Sequence, residues 1–154
     1  SPIVYAQKEG FVSDYLNYAI QCYSPISTLY HYLKLAENSF EEVSVLKEYR
    51  LKRMFYALRG AVACKWIMSR NEMPPILFTK MVEELDLSLD LKFRIAELID
   101  FKATKSEAYM HSGEKMVFRF IKETILEAKS KANSLPGRKV KEVDLDSYFR
   151  KVVM

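Results

Sequence analysis

Lys52, Tyr56 and Arg59 are the residues whose types and spacing most directly suggest chemistry. They follow one another at intervals of four and three residues within a stretch of helical apolar periodicity. On a helix these intervals place the three side chains on one face. Arginine presents a planar fork of donors and lysine a compact cation, so that together they can neutralise the oxygens of a polyphosphate. The row therefore predicts a phosphate-binding surface.

The sequence around this row is strongly basic, although the whole chain carries a formal charge of only +4. From Lys47 to Arg70, seven basic residues stand against the single acidic residue Glu48, which gives a net charge of +6. Lys65 also belongs to this set. An alternative remains open, because the same face could point to solvent or pair with the acidic segment between Lys80 and Asp100, whose net charge is −3.

His31 lies in the sequence Tyr30-His31-Tyr32 of an earlier predicted helix. In a nucleotide site, such aromatic and protonatable groups can stack on a base or bond to a ribose. We therefore include His31 among the predicted nucleotide-binding residues. The competing interpretation is a helix residue without a functional role.

A second basic stretch runs from Lys115 to Lys141 and holds eight basic residues against two glutamates, again a net charge of +6. Lys115, Arg119 and Lys122 are spaced for one helix face, and we predict that they bind nucleic acid through its phosphates. A basic face that only keeps the protein in solution is the alternative.

The sequence predicts no catalytic or metal-binding residues within this chain. It contains no glycine-rich phosphate loop and none of the usual hydrolase signatures, and the two histidines are far apart with no acidic pattern around either. The pairs Asp86 with Asp90 and Asp144 with Asp146 are better explained as solvated surface charges than as metal ligands. Cys22 and Cys64 lack metal-binding spacing and are predicted to be reduced and buried.

Apolar residues recur every three or four positions along nearly the whole chain, which predicts an all-α fold. We expect one compact domain of about six to seven helices around a long central helix from about Ser44 to about Arg70. Further helices are predicted near residues 9–21, 25–41, 76–85 and 89–102, from Ser112 and Glu114 onward, and after Asp144. Gly60 inside the central helix indicates a bend or the close approach of another backbone.

Composition favours a cytoplasmic protein without a membrane span. The chain is 49% hydrophobic and 29% charged, and it has no apolar run long enough to cross a bilayer. It begins with Ser1-Pro2-Ile3-Val4-Tyr5, which is typical of an extended segment. This start suggests that an upstream portion has been removed.

An ordered set of short motifs resembles the C-terminal part of the predicted nucleotidyltransferases linked by gene association to RNA ligases and RNA repair. The resemblance covers roughly residues 1–85 well and the remainder loosely. The motifs are Ser1-Pro2-Ile3-Val4-Tyr5, Tyr23-Ser24-Pro25, His31-Tyr32-Leu33, Leu51-Lys52-Arg53-Met54-Phe55-Tyr56-Ala57-Leu58-Arg59, Ala63-Cys64-Lys65-Trp66-Ile67 and Pro74-Pro75.

The resemblance implies that this chain is the helical half of a two-part enzyme. In that family an N-terminal catalytic domain carries a Gly-Ser turn and the acidic residues that hold divalent metal, so Mg²⁺ is expected for the full-length parent and no cofactor for this chain. The implied partners are that catalytic domain, a nucleoside triphosphate and RNA. Lys52, Arg59 and Lys65 match the family's basic positions, and His31 and Tyr56 match its histidine and aromatic positions. The resemblance thus implies that Lys65 also contacts the nucleotide.

Gly60 departs from the family pattern, in which proline often follows the arginine that Arg59 matches.

Two other functions also remain open: an RNA-binding or DNA-binding helical module, and a protein-interaction domain without a catalytic link.

Overall fold

The computed structural model describes residues 10–137 and 145–153. Several features of the sequence lie outside these ranges: the extended start at residues 1–5, the basic residues Arg138, Lys139 and Lys141, and the predicted cap Asp144. The chain divides into two compact units. One is Pro25–Leu135, and the other includes the first and last described helices.

The larger unit is built almost entirely of helices, which confirms the predicted all-α class. Its helices are α2 (Pro25–Ser44), α3 (Leu51–Arg70), α4 (Phe78–Glu84), α5 (Leu89–Ala103) and α6 (Lys115–Lys131), followed by a short 3-10 turn at Ala132–Ser134. Two strands of two residues each, β1 (Tyr49–Arg50) and β2 (Met110–His111), pair antiparallel with Tyr49 opposite His111.

The central helix begins later than predicted, so the boundary at Ser44 is wrong. Ser44 ends α2, and α3 starts at Leu51. Between them Tyr49 is only 2% exposed, and its hydroxyl donates a hydrogen bond to the carbonyl oxygen of Gly113 at 3.2 Å. Because this burial and the pairing with β2 are long-range interactions, they override the local helical periodicity.

α2 and α3 pack antiparallel at very short range. Arg53 near the start of α3 pairs with Glu42 near the end of α2, and Gly60 lies beside Ala36. A Cβ atom placed on Gly60 would lie 2.8 Å from the backbone nitrogen of Ala36 and 2.9 Å from the carbonyl oxygen of Tyr32. The predicted close approach at Gly60 is therefore confirmed, and glycine is what permits it.

The apolar stripe of α3 forms the centre of the core, with α2 and α6 packed on it. Leu58, Val62 and Trp66 from α3 are at most 4% exposed. Pro74 is buried where the chain leaves α3, and Asn71 ends that helix in a left-handed conformation with φ 55°. α3 therefore ends before the chain reaches Pro74 and Pro75.

The smaller unit contains α1 (Phe11–Cys22) and α7 (Leu145–Val153). Within it the rings of Tyr18 and Tyr148 lie 4.3 Å apart. Tyr15, Leu16 and Ile20 of α1 are all more than half exposed. Across both described ranges of the chain, no helix is sufficiently long and apolar to traverse a membrane.

Candidate functional site

α3 carries Lys52, Tyr56 and Arg59 along one face, where two adjoining clefts meet at Tyr56. We call the first the basic cleft; it is lined by Arg50, Lys52, Arg53, Tyr56, Glu107 and Ala108. We call the second the apolar cleft; it is lined by Phe55, Tyr56, Arg59, Leu77, Phe78, Thr79, Ile99, Lys102 and Ala103. Each has a volume of about 460 Å³. The structure thus brings three of the predicted site residues together.

Lys52 forms an exposed ion pair in the basic cleft. Its ammonium donates a hydrogen bond of 2.7 Å to Glu107, whose side chain is 83% exposed. This hydrogen bond is the main reason why the pKa of Lys52 is raised and the pKa of Glu107 is lowered. An ion pair as exposed as this one contributes little to stability, so an incoming anion can replace Glu107 at low cost.

Arg59 has no carboxylate partner among the residues that the structure describes. Its guanidinium donates to the carbonyl oxygen of Ile76 at 2.7 Å, a bond that joins α3 to the segment preceding α4. A guanidinium has five donors, so one bond to a neutral carbonyl leaves its charge available. Arg50 and Lys102 likewise form no ion pair within the described ranges.

Lys102 was not predicted, although it faces the same cleft as Arg59. Its ammonium lies 5.4 Å from the centre of the Phe55 ring, within the range of a cation–π interaction. Lys102 comes from the last turn of α5, and Phe55 from the second turn of α3. No local spacing in the sequence links them, because only the packing of α5 against α3 and α4 brings them together.

Lys65 lies on a different surface from the Lys52 row. It donates a 2.7 Å hydrogen bond to Glu127 of α6 and lines a groove that also contains Arg119. The same groove contains four carboxylates, from Asp86, Asp90, Glu123 and Glu127. With four acidic groups against two cations, this groove is a poorer place for a polyphosphate than the two clefts on α3.

His31 lies on the exposed side of α2, with its ring 5.2 Å from that of Tyr32. Because α2 and α3 are antiparallel and Ala36 is level with Gly60, His31 is level with residue 65 of α3. It is therefore about 20 Å along the helix axis from Lys52 at 1.5 Å per residue. The structure does not bring His31 together with the Lys52 row.

Lys115, Arg119 and Lys122 are all exposed on α6 and follow the predicted helical spacing. None of the three forms an ion pair with a described residue. They form a second basic surface that is separate from the clefts on α3.

Glu114 forms a buried charge cluster that the sequence analysis missed. Its side chain is 5% exposed and accepts two hydrogen bonds from Arg94, at 2.6 and 3.0 Å, and one from Nε2 of His111 at 2.8 Å. Burial works to raise the pKa of Glu114, but the hydrogen bonds from Arg94 and His111 outweigh it and lower the pKa. The expectation that neither histidine has an acidic neighbour is wrong for His111.

The same cluster corrects the predicted start of the sixth helix. α6 begins at Lys115, and Glu114 precedes it in a left-handed conformation with φ 65°. The hydrogen bonds of its carboxylate with Arg94 and His111 hold this uncommon backbone geometry in place. The cluster is structural, since it joins α5, β2 and the start of α6.

No group of three or more His, Cys, Asp or Glu side chains that could hold a metal ion occurs in the described ranges. Cys64 is buried, and desolvation raises the pKa of its thiol to about 12. Cys22 is partly exposed, so the expectation that both thiols are fully buried is wrong for Cys22.

Comparison with known proteins places this architecture in a family. The chain is 25% identical over all of its 154 residues to the uncharacterized protein YcgL of Bacillus subtilis (strain 168), and it spans 58% of that protein's length. No solved structure matches the chain. The sequence profile of RlaP, described as the RNA repair pathway DNA polymerase beta family, matches residues 1–151. The chain therefore belongs to the RNA repair pathway DNA polymerase beta family.

Proposed function

We propose that this chain is the helical accessory part of a metal-dependent nucleotidyltransferase, and that its α3 surface binds the phosphates of a nucleoside triphosphate. One observation carries the proposal: Arg50, Arg59 and Lys102 line two adjoining clefts, and none of them forms an ion pair in the described part of the chain. By contrast, Arg53, Lys65 and Arg70 of the same helix each form an ion pair with a glutamate.

The chemistry of these groups suits polyphosphate. Arg59 offers a planar fork for two phosphate oxygens, whereas Lys52 and Lys102 offer compact charges. The apolar walls beside them exclude water from one side, which strengthens each charge-assisted bond. Lys52 and Arg59 are about 10 Å apart along the helix axis, so together they can hold several phosphate oxygens.

The transfer step needs groups that the described residues do not supply. Phosphoryl transfer normally depends on metal ions that acidic residues hold, and the described part of this chain offers no such set. We therefore assign no step through a metal to this chain. In this proposal the Mg²⁺ ligands belong to a catalytic domain, for which the greater length of the Bacillus subtilis relative leaves room.

A transfer assay on a full-length protein that contains this chain tests the proposal. Removing a charge-assisted bond costs roughly 1.5–3 kcal/mol, so Arg59→Ala should lower kcat/KM for nucleotide by roughly tenfold to a hundredfold. Lys52→Ala should act in the same direction, and Arg59→Lys should rescue only in part because it lacks the fork.

Arg150→Ala is the matched control, since it removes an exposed arginine of α7 that lines neither cleft. It should leave kcat/KM within about twofold, and thermal melts should show all four variants folded. If Arg59→Ala reduces activity no more than Arg150→Ala does, or only in step with stability, the α3 surface is not a phosphate site.

The α6 surface supports a second candidate function, binding of RNA. Lys115, Arg119 and Lys122 are exposed and form no ion pair with described residues, as phosphate contacts along a nucleic acid require. RNA affinity should then fall steeply with added salt, and each alanine substitution should reduce the salt slope by about one. An affinity insensitive to salt would exclude this function.

A further inference from the structure

The apolar cleft combines a hydrophobic, partly aromatic lining with two cationic side chains. The rings of Phe55 and Phe78 meet edge to face, with centroids 6.3 Å apart and an interplanar angle of 78°. Ile99, Ala103 and Leu77 also line the cleft, and Leu77 is 66% exposed. At about 460 Å³ the cleft is as large as many small-molecule sites.

Two of the four polar side chains that line this cleft are cationic, and the other two are the hydroxyl-bearing Tyr56 and Thr79. Arg59 and Lys102 lie on its rim, and no carboxylate lines it. Tyr56 connects it directly to the basic cleft that contains Lys52 and Arg50. A ligand that fits both clefts must therefore carry a planar apolar group at one end and negative charge at the other.

We infer that the apolar cleft binds the base of a nucleotide whose phosphates lie against Arg59, Lys102 and Lys52. The inference rests on the proposed function and adds the part of the site that recognises the nucleoside. The base contacts the aromatic side chains of Phe55, Phe78 and Tyr56. Every nucleobase has such an aromatic face, and Thr79 is the one neutral hydroxyl besides Tyr56 in the lining, so the cleft accepts different bases with little preference.

Charge decides between a nucleotide and a protein segment as the occupant. An apolar helix or peptide would cover the cleft but leave Arg59 without counter-charge and Lys102 with only the nearby Glu107. A nucleotide places its base against the apolar lining and its phosphates beside both cations. A second apolar recess, lined by Phe93 and Ile95, has no excess of positive charge, because Glu83 lines it together with Lys92. The charges therefore favour a nucleotide in the apolar cleft and not in this recess.

Calorimetric titration of the 154-residue chain with ATP and with inorganic tripolyphosphate separates the base from the phosphates. Ala103→Leu fills the cleft from an exposed position at the end of α5, and Leu77→Ala removes part of the wall. Both variants should weaken ATP binding by roughly tenfold and leave tripolyphosphate binding unchanged. Arg59→Ala should weaken the binding of both ligands. Ala19→Leu, at an exposed position of α1, is the matched control and should change neither.

The outcomes distinguish this inference from the proposed function. If the chain binds ATP no more tightly than tripolyphosphate, and Ala103→Leu and Leu77→Ala change nothing, the base lies elsewhere and the phosphate surface still stands. If Ala103→Leu weakens both ligands alike, the effect is on the charged rim and the inference is wrong. If tripolyphosphate fails to bind, or binds regardless of Arg59→Ala, the proposed phosphate surface is itself refuted.

Discussion

Replacing Gly60 with alanine should destabilise the protein although it improves the helix. In a helix interior alanine is better than glycine by about 1 kcal/mol. At Gly60, however, the added methyl group would lie 2.8 Å from the nitrogen of Ala36 and 2.9 Å from the oxygen of Tyr32. These are backbone atoms of α2 and cannot rotate away, so the two helices must separate.

The gain in helix propensity and the cost of overpacking have opposite signs and different sizes. Overpacking against a core typically costs about 1–3 kcal/mol, and backbone neighbours place this site near the upper end. After subtracting the gain in helix propensity, we expect a net loss of about 2 kcal/mol in the free energy of unfolding. For a protein of this size that corresponds to a fall of roughly 4–8 °C in Tm.

Urea and thermal unfolding of Gly60→Ala, measured beside Gly137→Ala, test this estimate. A Cβ atom added to Gly137 would have no neighbour within 4 Å, so the same substitution there should change the free energy of unfolding by less than about 0.5 kcal/mol. If Gly60→Ala is neutral or stabilising, α2 and α3 are not as close as described.

Three further predictions concern other parts of the molecule. Because the pKa of Glu114 is lowered in the fold, its contribution to stability is present above the ordinary glutamate pKa and is lost as pH falls through the lowered value. Glu114→Gln should therefore cost roughly 2 kcal/mol in urea unfolding at neutral pH and progressively less in acid, and a pH-independent cost would contradict the charged role. Cys64, whose pKa burial raises to about 12, should react with a thiol reagent much more slowly than Cys22 in the native state, and equal rates would refute the burial of Cys64. The chain alone should show no Mg²⁺-dependent nucleotidyl transfer with labelled nucleoside triphosphates and RNA, and a product that persists through purification would overturn the accessory role.

Local sequence pattern was sufficient for the features that one helix determines. The i, i+4, i+7 spacing of Lys52, Tyr56 and Arg59 fixes their common face wherever α3 lies, and the structure keeps them together. Gly60 likewise signalled a close backbone approach because glycine is otherwise unfavourable in a helix interior. Neither prediction required knowledge of the tertiary structure.

Features that depend on distant segments could not be predicted from local patterns. Lys65 has the helical spacing of a basic row, but the position of α6 gives it Glu127 as a partner. The start of α3 moved to Leu51 because Tyr49 is buried against residues far along the chain. Lys102 contributes to the apolar cleft only through the packing of α5, which no periodicity in the sequence encodes.

The most direct test of the central proposal is to map the nucleotide on the chain by amide NMR chemical shifts during a titration with ATP. If the nucleotide binds at α3, the largest chemical-shift changes should occur within residues 50–59, 76–79 and 99–103, which contribute the lining of the two clefts. Residues 115–122 of α6 should change little, and Arg59→Ala should abolish the changes at the clefts. Changes concentrated on α6, or absent at ATP concentrations that saturate the full-length protein, would contradict the proposal that α3 holds the nucleotide.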